Sequence, residues 1–396
     1  MENQKNKILI ISLAYHPFVG GAEVAIKEIT QRLGSDFSAP GGQGFCFDMI
    51  TCNLDGVQKS EEENFNGIDK IYRISLFPHP YQGGGWGGVK KVINKYLFPW
   101  LAYKKAVELQ NENNYSVVWA MMANQAGWAA KKFKKKFPRI KYLLTLQEGD
   151  SELDIWLRTW FIRPLYKNIY KTADYIQAIS NFLKKRAINL GAKCKIEVVP
   201  NGIGTVIARS EATKQSQGIK RVITVSRLVE KNGLRYLIEA MTNVDGKLII
   251  LGNGKLEFKL KSLTKNLNLE NKVEFLGEVT NDQVYEYLNT ADVFARPSLS
   301  EGLGNAFLEA MAQSVPVIAT PVGGIPDFLE DGKTGWFCKV KNPKSIADKI
   351  NYILDEKNKE EVNMVIENAR KMVIEKYNWD QISIKMKNIF IKLINN

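Results

Sequence analysis

Ser298-Leu-Ser-Glu-Gly-Leu-Gly-Asn-Ala-Phe-Leu-Glu-Ala-Met-Ala312 is the stretch that decides the fold. It follows a short apolar run, Ala291–Ala295, that is typical of a buried strand. A turn with two glycines comes next, and the helical spacing of Phe307, Leu308 and Met311 then predicts a helix. A strand that opens through a glycine turn into a helix presents free N–H groups and the positive end of the helix dipole. The stretch therefore predicts a turn that can bind a phosphate.

Two carboxylates flank this turn, Glu301 before the helix and Glu309 within it. A carboxylate repels a phosphate, so neither residue is expected to hold the anion, but both can accept hydrogen bonds from sugar hydroxyls. We expect phosphate, ribose and sugar to bind together here, as a nucleotide-sugar would. The alternative is a solvated helix face that happens to carry two glutamates.

Composition narrows the class of protein. The chain has 396 residues, 45% of them apolar and 24% charged, which is ordinary for a water-soluble protein of two or three domains. No stretch reaches the ~18 apolar residues of a membrane span, and the first residues do not resemble a signal peptide. Four scattered cysteines are expected to be reduced thiols, which favours a cytoplasmic location. Two histidines exclude a His-rich metal site.

The net charge of +13 is unusual. It permits nucleic acid, an anionic membrane or an acidic ligand as partner. No nucleic-acid-binding motif is present, so we expect a membrane surface or a phosphate-bearing ligand and no nucleic acid.

The same strand-to-turn pattern recurs along the chain. Lys7–Tyr15 leads to His16 and the pair Gly20-Gly21, Lys141–Leu146 leads to Gln147, and Lys220–Val225 leads to Arg227 and Lys231. These residues and Glu301 all lie just after a predicted strand. The alternation of strands and helices in both halves predicts two doubly wound parallel sheets, whose ligands bind at the carboxyl ends of the strands.

Arg227 and Lys231, four residues apart, could clamp a diphosphate. The alternative is a surface ion pair with Glu230.

Aromatic residues and lysines alternate between Lys90 and Lys105, after the glycine-rich segment Tyr81–Gly88. This pattern fits a helix at an anionic membrane surface, or an amphipathic helix packed on the sheet with its lysines reaching solvent. Lys131–Phe137 adds a second basic patch, which would favour the membrane interpretation if both lay on one face.

The segment from Glu301 to Ala312, with seven residues between the two glutamates, resembles the signature of the retaining GT-B glycosyltransferases of family 4. Pro316–Pro326 and Asp331–Gly335 are similar to the segments that flank this signature. The resemblance implies a GT-B fold, in which two Rossmann-like domains face each other across a cleft and a C-terminal helix crosses back to the first domain.

The resemblance also implies roles for individual residues. Glu309 would hold the ribose and Glu301 would contact the transferred sugar. Three groups would bind the donor's phosphates. They are the basic side chains of Arg227 and Lys231, the glycine pair Gly20-Gly21, and the N–H groups of the turn at Gly302, Leu303, Gly304 and Asn305.

Gln147 departs from the family pattern, which commonly has a histidine beside the transferred sugar. A glutamine can hydrogen-bond a sugar hydroxyl but cannot take up a proton near neutral pH. If a base is required, Glu148 or Asp150 would have to replace it. His16, Glu148 and Asp150 are the acceptor-side candidates.

The expected domains are an N-terminal acceptor-binding domain (1–203), a linker with an insertion (204–219), a nucleotide-sugar-binding domain (220–376) and a C-terminal helix (377–396). Residues 35–44 are interpreted as a further insertion.

The expected function is transfer of a hexose from a UDP- or GDP-sugar to a glycan or lipid-linked acceptor, with retention of anomeric configuration. No Asp-x-Asp motif is present, so neither a metal nor a cofactor is expected. The protein would be cytoplasmic, with peripheral contact at the inner face of the membrane. Alternatives are a nucleotide-sugar 2-epimerase and a catalytically weak nucleotide-sugar-binding protein.

Overall fold

Two sheets, each with its own core, organise the chain in a computed structural model. The structure describes residues 6–17, 20–34, 44–54, 59–77, 86–204 and 218–395. Contacts group residues 1–148, 156–201 and 379–396 into a first unit, and residues 149–155 and 202–378 into a second.

The first unit is built on an eight-stranded sheet in the order β3-β4-β2-β1-β5-β6-β7-β8. Its strands are β1 (Asn6–Ser12), β2 (Phe45–Cys52), β3 (Glu61–Phe65), β4 (Ile68–Ile74), β5 (Val117–Met121), β6 (Lys141–Leu146), β7 (Tyr175–Ala178) and β8 (Lys195–Val198). β1 pairs in parallel with β2 on one side and with β5 on the other. The order of the strands therefore reverses between β1 and β5, and ligands of doubly wound sheets bind at such a point.

The second unit has a six-stranded sheet in the order β11-β10-β9-β12-β13-β14. Its strands are β9 (Arg221–Val225), β10 (Lys247–Leu251), β11 (Val273–Gly277), β12 (Val293–Arg296), β13 (Val317–Ala319) and β14 (Trp336–Phe337). All pairs in this sheet are parallel, and the order reverses between β9 and β12. The turns that follow β9 and β12 therefore leave the sheet side by side.

Helices connect the strands of both sheets. Those within the described ranges are α1 (Gly21–Gly34), α2 (Trp86–Asn113), α3 (Gln125–Lys136), α4 (Glu152–Thr159), α5 (Arg163–Thr172), α6 (Asn181–Asn189), α7 (Leu234–Ala240), α8 (Glu257–Asn266), α9 (Asn281–Asn289), α10 (Asn305–Ala312), α11 (Pro343–Leu354), α12 (Lys359–Lys376) and α13 (Trp379–Asn395).

The C-terminal helix α13 packs into the core of the first unit, as the fold class predicts. Phe390 contacts Phe45, Phe47 and Trp119 with ring centroids 5.3–5.9 Å apart. Asp380 pairs with Arg32 of α1 at 2.7 Å. The core of the first unit therefore includes residues from both ends of the chain.

One strand departs from the predicted parallel pattern. β3 runs antiparallel to β4 at the edge of the first sheet, and Asn66-Gly67 joins the two strands. Both turn residues have positive φ (54° and 73°), as a tight two-residue hairpin turn requires. The sheet is therefore parallel except for this edge.

The fold class is confirmed: both units are doubly wound α/β sheets that are parallel apart from β3. The sequence analysis assigned all of residues 1–203 to the first domain. Contacts instead group residues 149–155 with the second unit, because Asp150 pairs with Lys231 and Gly149 lies against Gly302. Most of the predicted insertions, 35–43 and 205–217, and residues 81–85 lie outside the described residues. Within the described ranges, every helix is too short or too polar to cross a membrane.

Candidate donor and acceptor sites

The turns after β9 and β12 are joined at the reversal point of the second sheet. The amide of Leu299 donates to the carbonyl of Lys231 at 2.6 Å. The backbone therefore brings the basic pair of the first turn next to the glutamate of the second.

Lys231 lies in a small cluster of polar groups. Its Nζ contacts Oδ1 of Asp150 at 3.2 Å. A Cβ atom placed on Gly149 would lie 3.2 Å from this Nζ, 3.3 Å from Oε1 of Glu301 and 2.9 Å from the amide of Gly302. The structure thus brings together Lys231, Asp150, Glu301 and Gly302, which the sequence analysis had placed on three different loops.

Arg227 is exposed, and its backbone carbonyl accepts a hydrogen bond from the side-chain amide of Asn232 at 2.6 Å. Neither Arg227 nor Lys231 forms an ion pair with Glu230 among the described residues, because Lys231 pairs with Asp150 instead. The structure therefore does not show the alternative of a surface ion pair with Glu230.

Arg296, at the end of β12, is a site residue that the sequence analysis missed. Its guanidinium is buried, donates to Oε2 of Glu301 at 2.7 Å and to the carbonyl of Val225 at 3.0 Å, and stacks over Phe307 at 4.2 Å. Burial lowers the pKa of Arg296, and the charges of Glu301 and Glu309 oppose this shift. An arginine at the end of an apolar run was the available signal.

Both carboxylate oxygens of Glu301 accept hydrogen bonds. Oε2 accepts from Arg296, and Oε1 accepts from the amide of Gly302 at 3.0 Å. The Glu301 carbonyl also accepts from the amide of Gly324 at 3.1 Å. Glu301 is thus held in one orientation, and the Gly302 amide, expected to bind phosphate, already has an acceptor here.

Glu309 lies on α10, half-buried. Burial raises the pKa of its carboxyl above the ordinary value of 4.5, and the nearby charge of Arg296 partly offsets the shift. No side chain caps α10, because the preceding residue is Gly304 with φ of 95°. The start of this helix therefore lacks a carboxylate or hydroxyl that would compete with a ligand phosphate.

In the first unit, Gln147 forms a reciprocal amide pair with Asn201. Gln147 Nε2 donates to Asn201 Oδ1 at 3.2 Å, and Asn201 Nδ2 donates to Gln147 Oε1 at 3.0 Å. The same Nδ2 lies 3.5 Å from the carbonyl of Gly21. The buried Asn201, which the sequence analysis did not single out, thus links Gln147 to the start of α1.

Glu148 points into the first unit. Its Oε1 accepts from the amide of Ala123 at 2.5 Å, and its carbonyl accepts from Arg186 at 3.4 Å. Burial raises the pKa of its carboxyl, with the charge of Arg186 acting in the opposite direction.

His16 and the glycine pair lie between β1 and α1. His16 is exposed, with its ring 5.1 Å from that of Phe65. Gly20 precedes α1 and Gly21 begins it, and the Gly20 carbonyl accepts from the amide of Val24 at 3.0 Å. The start of α1 thus follows the central strand of its sheet, as predicted.

Among the described residues, no group of three or more His, Cys, Asp or Glu side chains could hold a metal ion. Metal independence remains a prediction.

Two family models match the chain: Glycosyltransferase Family 4 over residues 19–206 and Glycosyl transferases group 1 over residues 208–372. Together with the doubly wound sheets and the glutamate-bearing turn, they define the class: the chain belongs to the group 1 glycosyltransferases of GT-B fold.

Individual proteins agree with this assignment. An uncharacterized glycosyltransferase of Methanocaldococcus jannaschii is 27% identical over 97% of both chains. A GDP-mannose-dependent alpha-(1-6)-phosphatidylinositol monomannoside mannosyltransferase of Mycobacterium tuberculosis is 28% identical over 57% of this chain and 65% of its own. The Anabaena protein HepE, solved in complex with UDP-glucose, shares the fold with a TM-score of 0.74 at 18% identity, over 98% of this chain and 99% of its own.

Proposed function

We propose that this glycosyltransferase moves a hexose from a UDP- or GDP-sugar to a glycan or lipid-linked acceptor, with retention of anomeric configuration. The observation that carries the proposal is the grouping of Arg227, Lys231 and Glu301 at the adjoining ends of β9 and β12. HepE with UDP-glucose and the GDP-mannose-dependent relative support the two donor classes, and the latter's name supports a lipid-linked acceptor.

Departure of the nucleoside diphosphate is the difficult step, because negative charge grows on the leaving phosphate while positive charge grows on the sugar. Arg227 and Lys231 supply cations on the side where the phosphate leaves, and the uncapped start of α10 supplies N–H groups. Lys231 would exchange Asp150 for the phosphate, since the two acceptors compete for one Nζ.

Glu301 is assigned to the transferred sugar and Glu309 to the ribose hydroxyls. Arg296 fixes Glu301, so its carboxylate needs little reorganisation when a sugar binds. Retention would follow from attack on the same face of the sugar that the diphosphate leaves. Gly20 and Gly21 keep their proposed contact with the donor phosphate.

Gln147 is assigned to a sugar hydroxyl. It cannot act as a base, so the acceptor's proton would pass to the departing phosphate rather than to this side chain. We also propose a cytoplasmic location at the inner membrane face, where nucleotide-sugar donors and lipid-linked acceptors would meet.

The test is calorimetric titration of UDP and GDP, and then of their hexose conjugates, into metal-free protein, followed by NMR of the products. We expect one nucleotide to bind without metal and a new glycoside of the donor's anomeric configuration to form. An epimerised donor would instead indicate an epimerase, and binding without turnover a binding protein. Absence of binding by every nucleotide would contradict the proposal.

A further inference from the structure

A row of large apolar side chains stands exposed where α4 passes through a 3₁₀ turn, Trp160–Ile162, into α5. We call it the apolar ridge; its members are Trp156, Leu157, Trp160, Phe161 and Leu165. Trp160 is 64% exposed and Phe161 68%, with their rings edge to face at 6.0 Å. Contiguous exposed aromatics of this size mark an interaction surface.

Helix α5 does not depend on the ridge residues for its attachment to the first unit. α5 already buries Tyr166, Ile169 and Tyr170, which anchor it in the first unit. The five ridge residues are 47–68% exposed, so they contribute little to that core. Their apolar surface is therefore available to a partner.

Cations outnumber acidic residues in the sequence around the ridge. Between Trp156 and Lys167 the sequence contains Arg158, Arg163 and Lys167 and no acidic residue, and Glu152 and Asp154 precede this segment in the first turn of α4. Aromatic and leucine side chains flanked by cations fit the boundary between headgroups and acyl chains in a membrane of anionic lipids.

A second cluster with the same chemistry lies on α2, and we call it the α2 cluster: Val92, Tyr96, Leu97 and Trp100. The opposite face of α2 buries Phe98, Ala102 and Ala106, so the helix packs on its unit and still exposes aromatic rings. The Lys104 Nζ lies 3.6 Å from the centre of the Trp100 ring. From Lys91 to Val107 the sequence has four lysines and no acidic residue.

The helices that carry the two surfaces start at the same edge of the first sheet. α2 follows the carboxyl end of β4 and α4 follows that of β6, four positions along the sheet, or about 19 Å. The last turn of α3, with Lys134, Lys135 and Lys136, leads to the amino end of β6 and so lies at the opposite edge. The second basic patch therefore does not extend this surface, and the ridge takes its place.

We propose that the apolar ridge and the α2 cluster form a two-point docking surface for an anionic lipid bilayer, into whose interface Trp160 and Phe161 insert. Two separated apolar surfaces, on helices that start at one edge of the sheet and each with an excess of cations, suit an extended negative surface better than a single protein partner. The inference does not depend on the transfer reaction, because lipid binding requires neither donor nor acceptor.

The experiment is flotation of the purified protein with vesicles of phosphatidylcholine alone, or of phosphatidylcholine mixed with phosphatidylglycerol. We expect binding to the mixed vesicles only, weakening as salt is added. The double variant Trp160→Ser/Phe161→Ser should bind them about tenfold more weakly. The matched control is Phe258→Ser, which removes an aromatic side chain that is 82% exposed on α8 of the second unit, and should bind as the parent does.

Circular dichroism and the unfolding midpoint check that the variants are folded, and Tyr96→Ser/Trp100→Ser provides an independent second variant. Equal binding of the ridge variant and the parent would overturn the proposal, as would equal binding to neutral and anionic vesicles. A parent that is dimeric, with a monomeric ridge variant and no vesicle binding, would assign the ridge to a second copy of this chain. Nucleotide titration of the same samples distinguishes failure of the lipid-docking proposal from failure of the transferase proposal.

Discussion

Arg296 positions Glu301, because its buried guanidinium donates to that carboxylate at 2.7 Å, and its charge also opposes the raised pKa of Glu309. Arg296→Met should remove the counter-charge and leave buried carboxylates unpaired. We expect a loss of about 3 kcal/mol in the free energy of unfolding, together with loss of turnover.

Chemical denaturation and a transfer assay would measure both effects. Lys344→Met is the control, because it breaks an exposed pair with Asp348 at 3.0 Å and should leave both quantities unchanged. An Arg296→Met variant with parental stability would show that the pair contributes nothing to the fold.

Glu309 should make nucleotide binding depend on pH. Its pKa is raised in the folded protein, so the carboxylate takes up a proton at a higher pH than an ordinary glutamate. In the proposed site the ionised form would accept two ribose hydroxyls and the protonated form would lose acceptor capacity, so affinity should fall as the pH is lowered through the raised pKa.

Glu309→Gln keeps the shape and removes the titration. We expect about tenfold weaker nucleotide binding near neutral pH, since hydrogen bonds to charged groups are the stronger ones, and a flatter pH profile. Calorimetric titration of the nucleotide across the acidic pH range would measure both the affinity and its pH dependence. A variant with the parent's pH profile would refute the ribose assignment.

Gln147 should affect turnover more than nucleotide affinity, because its partners are Asn201 and, through it, Gly21. Gln147→Ala and Asn201→Ala should each lower kcat. Because the two amides form one unit, the double variant should lose less than the product of the two effects. Fully multiplicative losses in kcat would show that Asn201 does not position Gln147.

The sequence shows which residue types occupy the donor turn but not how they pair. Glu301, Lys231 and the glycine turn follow from spacing and from family resemblance. The pairing of Arg296 with Glu301 depends on how the turn after β12 folds back, and the pairing of Asp150 with Lys231 joins residues 81 positions apart. A linear pattern contains neither piece of information. Asn201 was missed for the same reason.

At the scale of elements, α13 stabilises the first unit. Phe390 is fully buried against three aromatic rings, so Phe390→Ala should cost about 3–5 kcal/mol by leaving a cavity. Ile384→Ala on the same helix, at a position that is 57% exposed, should change stability little. Urea denaturation of both variants would decide; equal losses would mean that α13 is not docked through Phe390.

Most elements could be predicted because their signals are local. The strand Lys141–Leu146 is confirmed. β3 was missed because Glu61-Glu-Glu-Asn-Phe65 has no apolar alternation, and it is a strand only through pairing with β4. The Asn66-Gly67 turn was a usable hairpin signal. The apolar ridge was missed because apolar residues on a helix ordinarily predict burial.

At the scale of the whole molecule, each unit has its own hydrophobic core, and the proposed nucleotide-binding residues other than Gly20 and Gly21 belong to the second. We therefore expect two transitions in scanning calorimetry. A nucleoside diphosphate at 100 times its Kd should stabilise one of them by about 2.7 kcal/mol. Phe390→Ala should lower the midpoint temperature of the other transition. A single transition that shifts both with the nucleotide and with Phe390→Ala would contradict independent units.

The path of the chain has a consequence for its synthesis. The chain passes between the units four times, after residues 148, 155, 201 and 378. The unit that begins first therefore lacks Trp379–Asn395 until the ribosome has made them, whereas the second unit is complete at residue 378. Domains usually finish folding in the order of their synthesis, and here that order is reversed. A nascent chain arrested before Trp379 would carry a finished second unit and an open aromatic core in the first, which chaperones and proteases would recognise.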